Sequence, residues 1–368
     1  MKIGSIELTS PLVVSPMAGM TDTAFRRLVK RHGGCGLVVS EMVSSEGLVR
    51  GQDRTLEYAE YTEEERPVSI QIFGGEPERM AEAARVVEGM GADIVDINMG
   101  CPVPKVAKHN AGCSLMREPA HAARIVEAMV KAVAIPVTVK MRKGWDDEEL
   151  SAADVARRVE DAGAAAIAVH GRTARQSYSG SADWAFIRAV ADQVSIPVFG
   201  SGDCVEPRQI VDHLDAGVGG VFVGRGVLRN PWILAQAHDL IAGRPMREVS
   251  AADRARFLFE YIDLLLTGAD AEHDGFRHRA PGRAAPAADP GPARSRERWV
   301  INKVRALCTW YTKGFDRGSH LRIAVNAAES IAEIRDVVGR FFLVDADTAE
   351  PDHVGVLSRP GEPVATGS

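Results

Sequence analysis

The stretch Ile94-Val95-Asp96-Ile97-Asn98-Met99-Gly100-Cys101-Pro102 begins as a β-branched apolar run and ends on polar Asn98 and a Gly-Cys-Pro turn. Runs of the same kind recur on both sides of it, at residues 12–15, 36–40, 68–72, 137–140, 166–170, 196–199 and 220–224, giving eight candidate strands. Between them lie segments with helical apolar spacing, among them residues 77–90, 119–133, 150–162 and 207–216, several opened by Pro or Asp and closed by Gly. Strands that are apolar on both faces and alternate with helices belong to parallel βα units. Eight such units between residues 12 and 242 fit a (β/α)8 TIM barrel. A doubly wound sheet would carry a glycine-rich fingerprint after its first strand, and Pro16-Met17-Ala18-Gly19-Met20 lacks that spacing.

The barrel reading demands that chemistry sit where strands end and βα loops begin. The polar residues fall there: Gln71, Asn98, Lys140 and Arg142, His170 and Arg172, Gly202 and Asp203, Gly224 and Arg225. Beyond the barrel, taken as residues 1–242, the strand pattern stops. Helix-rich blocks at 253–266 and 299–339 make a smaller C-terminal helical domain over 243–345. Within it, residues 268–298 are rich in Ala, Pro, Gly and Arg without periodicity and read as a mobile, low-complexity insertion, and 346–368 read as a disordered tail.

The composition of the 368 residues, 45% hydrophobic and 26% charged, is that of an ordinary soluble globular protein. No apolar run approaches the roughly 18–20 residues that cross a bilayer, and the first ten residues lack a signal-peptide core. The expectation is a cytoplasmic protein, monomeric and without a membrane partner. The five cysteines lie far apart and form no C-x-x-C pair, and the ten histidines lack H-x-x-x-H spacing, so neither a disulfide framework nor a metal site is expected.

Cys101 stands apart from the other four cysteines because Gly100 and Pro102 frame it at a strand end. An unperturbed thiol has a pKa of about 8.5 and is mostly protonated near pH 7, which suits a general acid. A nucleophile would need a partner that lowers this value, which the sequence does not identify. The turns Gly200-Ser201-Gly202-Asp203 and Gly224-Arg225-Gly226 follow the seventh and eighth strands, where barrels commonly bind phosphate through free backbone N–H groups. Gln71, Lys140 and His170 could hold the polar edge of a planar heterocycle, with Lys140 stabilising negative charge on it.

Taken together, these motifs make the chain resemble the tRNA-dihydrouridine synthases, specifically the bacterial B type. The resemblance rests on Pro16-Met17-Ala18-Gly19-Met20-Thr21-Asp22, Gln71-Ile72-Phe73-Gly74, Asn98 to Pro102 followed by Lys105-Val106 and Ala111-Gly112, Lys140-Met141-Arg142-Lys143-Gly144, His170-Gly171-Arg172-Thr173, Gly202-Asp203 and Gly224-Arg225-Gly226, in family order across the barrel. It implies FMN across the barrel mouth. Pro16, Met17 and Ala18 would lie against the isoalloxazine, Gln71, Lys140 and His170 on its polar edge or ribityl chain, and Ser201, Gly202, Asp203, Gly224 and Arg225 at the phosphate. It further implies that NADPH or NADH reduces FMN, that hydride passes to C6 of a tRNA uracil, and that Cys101 protonates C5. The base would be extruded into the mouth, with Asn98, Lys105, Arg142 and Arg172 on the substrate side and Lys303, Arg305 and Lys313 of the helical domain on tRNA phosphate. Trp310 and Tyr311 read as core residues of that helix. Ser201 stands where the family usually has Asn.

A rival with the same barrel is an FMN oxidoreductase acting on a small molecule such as a free pyrimidine or dihydroorotate. A second is an RNA-binding barrel without activity, which the joint presence of Cys101, Lys140 and His170 disfavours. The net charge of -6 argues against a nucleic-acid partner until it is resolved along the chain. Residues 294–322 carry +6 and the remainder carries -12, a basic patch on an acidic body.

Overall fold

The structure is a computed structural model that describes residues 1–107, 110–267, 272–280 and 293–344. Eight parallel strands close into a barrel: β1 (Leu12–Val14), β2 (Leu37–Val39), β3 (Val68–Phe73), β4 (Ile94–Met99), β5 (Val137–Arg142), β6 (Ala166–His170), β7 (Val198–Ser201) and β8 (Gly220–Val223). Each pairs with its sequence neighbour, β8 pairs with β1, and Val38 of β2 faces Val68 of β3, so no edge remains. Every expected run became a strand. The seventh starts two residues late because Pro197 has no N–H and supplies only its carbonyl, to Ile167 N at 3.0 Å.

Alternation along each strand sorts side chains into two cores. Leu12 and Val14 pack outward against the helices, whereas Val13 joins an inner plug with Ile3, Leu8, Leu37, Val39, Ile94, Ala166, Ala168, Phe199 and Phe222. Phe199 and Phe222 meet edge to face at 5.5 Å. Ile3 and Leu8 reach the plug from a small N-terminal hairpin, Lys2–Ile3 with Ile6–Glu7, which closes the floor of the barrel. The outer helices show the expected stripe. In α2 (Pro77–Gly89), which follows α1 (Thr23–His32), Pro77 opens the helix and Met80, Ala81, Ala83, Ala84 and Val87 are buried.

After the barrel come α3 (Ala251–Thr267), α4 (Ala293–Tyr311), α5 (Gly318–Ala327) and α6 (Ile331–Gly339). Phe257 of α3 meets Phe25 of α1 edge to face and stacks on Tyr311 of α4 at 5.5 Å, so these helices share the barrel's outer core. Of the mobile insertion expected over 268–298, residues 272–280 and 293–298 are described. Arg277–His278 pairs antiparallel with Tyr61–Thr62, Glu272 bridges Arg27 at 2.9 Å and Arg277 at 2.7 Å, and α4 already begins at Ala293. Pairing of complementary charges ties down residues 272–280, which have no apolar periodicity to announce them; residues 268–271 and 281–292 lie outside the described residues. The tail read at 346–368 lies outside the described residues.

Candidate active site

The C-terminal ends of the strands surround a cleft of about 520 Å³. Pro16, Met17, Ala18, Gln71, Asn98, Cys101, Lys140 and Arg142 line it, and so do His170, Ser201, Gly202, Asp203, Gly224 and Arg225. Thr21 shapes the Pro16–Met20 loop on one wall: Met17 N donates to Thr21 Oγ1 at 3.0 Å, and Thr21 N donates back to Met17 O at 3.1 Å. Gly19, in the left-handed region at φ +80°, donates its N–H to the Glu41 carboxylate at 2.5 Å.

A chain of hydrogen bonds underlies the opposite wall. Thr138 Oγ1 and Gln71 Nε2 donate to the two oxygens of Asp96 at 2.6 and 2.7 Å. Gln71 Oε1 accepts from Asn98 Nδ2 at 2.7 Å, and Asn98 Oδ1 accepts from Gly100 N and Cys101 N at 3.1 and 2.9 Å. Cys101 is half-buried while the other four cysteines are buried. Burial raises the Cys101 thiol above its ordinary pKa, and the nearby Arg142 only partly opposes this, so it is a protonated thiol at neutral pH.

Lys140, half-buried at the inner rim, makes no hydrogen bond among the described residues. Burial, reinforced by Arg142, pulls its pKa down to about 8, with Asp96 opposing. Burial and the charges of Lys140, Arg142, Arg172 and Arg225 push His170 far below the usual imidazole range, so its ring is neutral. Gly202 sits against that ring: at φ +129°, a Cβ there would lie 2.4 Å from Ala182 Cβ and 3.1 Å from His170 Cδ2. Asp203 takes Arg172 at 2.8 Å and Arg225 at 3.4 Å. Its carboxylate also accepts from Ala182 N at 2.7 Å and is thus committed within the protein, which leaves the N–H groups of this turn for a ligand.

Several residues expected to meet substrate are engaged elsewhere. Arg172, only 2% exposed, braces the β6 loop through Ser179 O, Gly180 O and Asp203 and does not line the cleft. Lys303 donates to Gly19 O and Asp22, each at 3.0 Å, latching α4 onto the Pro16–Met20 loop. Arg305 caps the end of α5 through Ala328 O at 2.8 Å, and Arg296 caps α3 through Leu265 O. Lys105 is exposed on the short helix Pro104–Ala107 outside the cleft. Lys313 is exposed and lies over the Trp310 ring at 4.0 Å, and the charges of Arg229, Arg225 and Arg322 add to desolvation in lowering its pKa. Tyr311 is core, as expected, whereas its neighbour Trp310, also expected in the core, lines the cleft. Tyr178, 59% exposed at the mouth with Arg225 over its ring at 4.6 Å, was not singled out in the sequence, nor were Asp96 and Met42.

The fold and cleft define a TIM-barrel enzyme with its site at the strand ends. Among solved structures the barrel resembles 2-naphthoyl-CoA reductase in complex with 2-naphthoyl-CoA, with a TM-score of 0.52 at 14% identity over 72% of this chain and 55% of that one. A likeness at that identity speaks to the fold alone. The model of the dihydrouridine synthase family matches residues 12–279. A probable tRNA-dihydrouridine synthase of Rickettsia conorii is 37% identical over 93% of this chain and 96% of its own length. The tRNA-dihydrouridine synthase B of Shewanella oneidensis is 41% identical over 72% of this chain and 83% of its own. The chain belongs to the dihydrouridine synthase family. Among the described residues no helix is long and apolar enough to cross a membrane.

Proposed function

We propose that the protein reduces the C5–C6 double bond of specific tRNA uridines to 5,6-dihydrouridine, using FMN and NADPH or NADH, in the cytoplasm. The observation that carries this reading is a protonated thiol, Cys101, and a half-buried cation without a hydrogen bond, Lys140, lining one cleft from adjacent strand ends. The donor set suits FMN. Lys140 offers a cation to the electron-rich edge of a flavin, Ser201, Gly202 and Gly224 offer a turn backbone to phosphate, and Arg225 lies beside them. When bound, FMN supplies hydride exchange between the nicotinamide and C6 of the uracil.

The protein's own contributions follow from the geometry. Pro16, Met17 and Ala18 form the apolar wall, Gln71 is held rigid between Asp96 and Asn98, and neutral His170 donates or accepts without adding charge. Cys101 gives its Sγ proton to C5, and burial keeps the thiol protonated until it does so. The guanidinium of Arg142 is fixed by Gly100 O, Thr173 O and Ser177 O and presents its charge to the base. At the rim, Tyr178 and Trp310 provide ring faces and Arg225, Arg229, Lys313 and Arg322 provide positive charge, the combination that holds splayed nucleotides. The tRNA contact assigned to Lys303 and Arg305 passes to these residues.

The decisive experiment is Cys101→Ala. FMN content and reduction by NADPH should match the wild type, while dihydrouridine formation falls by on the order of 10²–10⁴-fold. Undiminished dihydrouridine in tRNA treated with the variant would remove Cys101 as the acid, and protein that neither carries nor takes up FMN would remove the flavin.

A further inference from the structure

We infer that Asp96 is a positioning residue that sets the catalytic cysteine loop through two side-chain amides in series. The inference rests on Cys101 being the proton donor and goes beyond it by naming what holds that donor in place.

Asp96 is 3% exposed and sits one layer below the mouth, directly above the apolar plug that contains Ile94 from the same strand. A carboxylate there costs free energy unless its oxygens are satisfied, and Thr138 and Gln71 satisfy them. An ionised carboxylate only accepts hydrogen bonds. It therefore forces Gln71 to turn its NH2 inward, which points Gln71 Oε1 at Asn98 and forces Asn98 in turn to spend its NH2 on Gln71. Only then is Asn98 Oδ1 left facing the N–H groups of Gly100 and Cys101. The two ends of an amide have nearly the same shape, so packing alone does not choose between its two orientations. If Asn98 flipped, its NH2 would oppose two backbone N–H donors and the loop would have to move. Burial lifts Asp96 to about 6, with Gln71, Thr138 and Lys140 opposing, so it is ionised at neutral pH. Asp96 does not line the cleft, so it acts on the reaction through Gln71 and Asn98 and through its charge on Lys140.

The test is a double-mutant cycle with FMN-loaded, full-length protein. Asp96→Asn, nearly isosteric, lets residue 96 donate as well as accept and removes the constraint. In the wild-type background kcat for dihydrouridine formation should fall by on the order of 10²-fold, with KM for tRNA and reduction by NADPH little changed, because misplacement of a reacting group by about 1 Å costs that much. In the Cys101→Ala background the same substitution should cost far less, because the group it positions is gone and only its effect on Gln71 and Lys140 remains. Iodoacetamide should label Cys101, the one cysteine that is not buried, faster in Asp96→Asn than in the wild type.

Equal losses in both backgrounds, or unchanged labelling, would overturn the inference and make Asp96 a structural residue only. Full activity of Cys101→Ala would instead bring down the proton-donor reading on which the inference rests. Should Asp96→Asn accumulate poorly, Thr138→Val withdraws the second donor from Asp96 and should show the same non-additive pattern with a smaller loss. An additive pattern there would count against the relay.

Discussion

Two lysines set inside the protein, Lys140 at the barrel mouth and Lys303 at the seam with the helices, have opposite surroundings. Lys303 meets Gly19 O and Asp22 at 3.0 Å and Glu41 at 3.7 Å. Burial alone would depress it, but the two carboxylates outweigh burial and hold it above the ordinary lysine value. Lys140 has no such cage, and burial takes it down to about 8. A half-buried cation held by a carbonyl and two carboxylates, as at Lys303, fastens the fold. One without a hydrogen bond, as at Lys140, keeps its donors for a ligand that brings charge or an acceptor.

The contrast can be broken in four places. Lys140→Met should lower dihydrouridine formation on the order of 10²–10³-fold through loss of charge stabilisation, while the melting temperature holds or rises. A variant that keeps its rate but melts early would show that Lys140 belongs with Lys303. Lys303→Met should cost about 3 kcal/mol in a denaturant titration, because Asp22 and Glu41 are left without their cation, and unchanged stability would break the comparison from the other side.

The pH responses should also separate. Lys140 is charged below about 8, so the rate it supports is present at pH 7 and declines as pH rises through 8, measurable as kcat against pH. Lys303 is raised above 10.5, so its stabilising contribution is complete below that value and is lost only as pH climbs through its folded-state pKa. Thermal melts should therefore show no Lys303-dependent loss between pH 7 and pH 9. The smallest effects distinguish Arg305 from Lys313. Arg305→Ala should cost about 1 kcal/mol of stability with tRNA affinity unchanged, whereas Lys313→Ala should reduce the salt slope of tRNA binding by about 1 with stability unchanged.

The barrel and most of its mouth were legible in the sequence because strand ends are local features. A polar residue closing an apolar run points into the mouth wherever the partner strands lie, which is why Gln71, Asn98, Lys140 and His170 line one cleft. The helical region obeyed no such rule. Lys303 finds its acceptor at Gly19 and Arg296 finds Leu265 O, and nothing in the spacing of either residue announces those partners. Trp310 and Tyr311 are adjacent on one helix, and helical period alone cannot say which of them meets the barrel mouth. The Asp96 relay depends on the register of three strands, Gln71 opposite Asp96 opposite Thr138, which pattern reading does not supply. Residues 272–280 pair through Arg277–His278 without any strand-like run.

The N-terminal hairpin adds a kinetic consequence. By driving Ile3 and Leu8 into the inner plug, it stoppers the barrel axis from below. With the floor sealed, the barrel axis opens only toward the strand-end mouth, so a ligand seated there has to leave by the way it came.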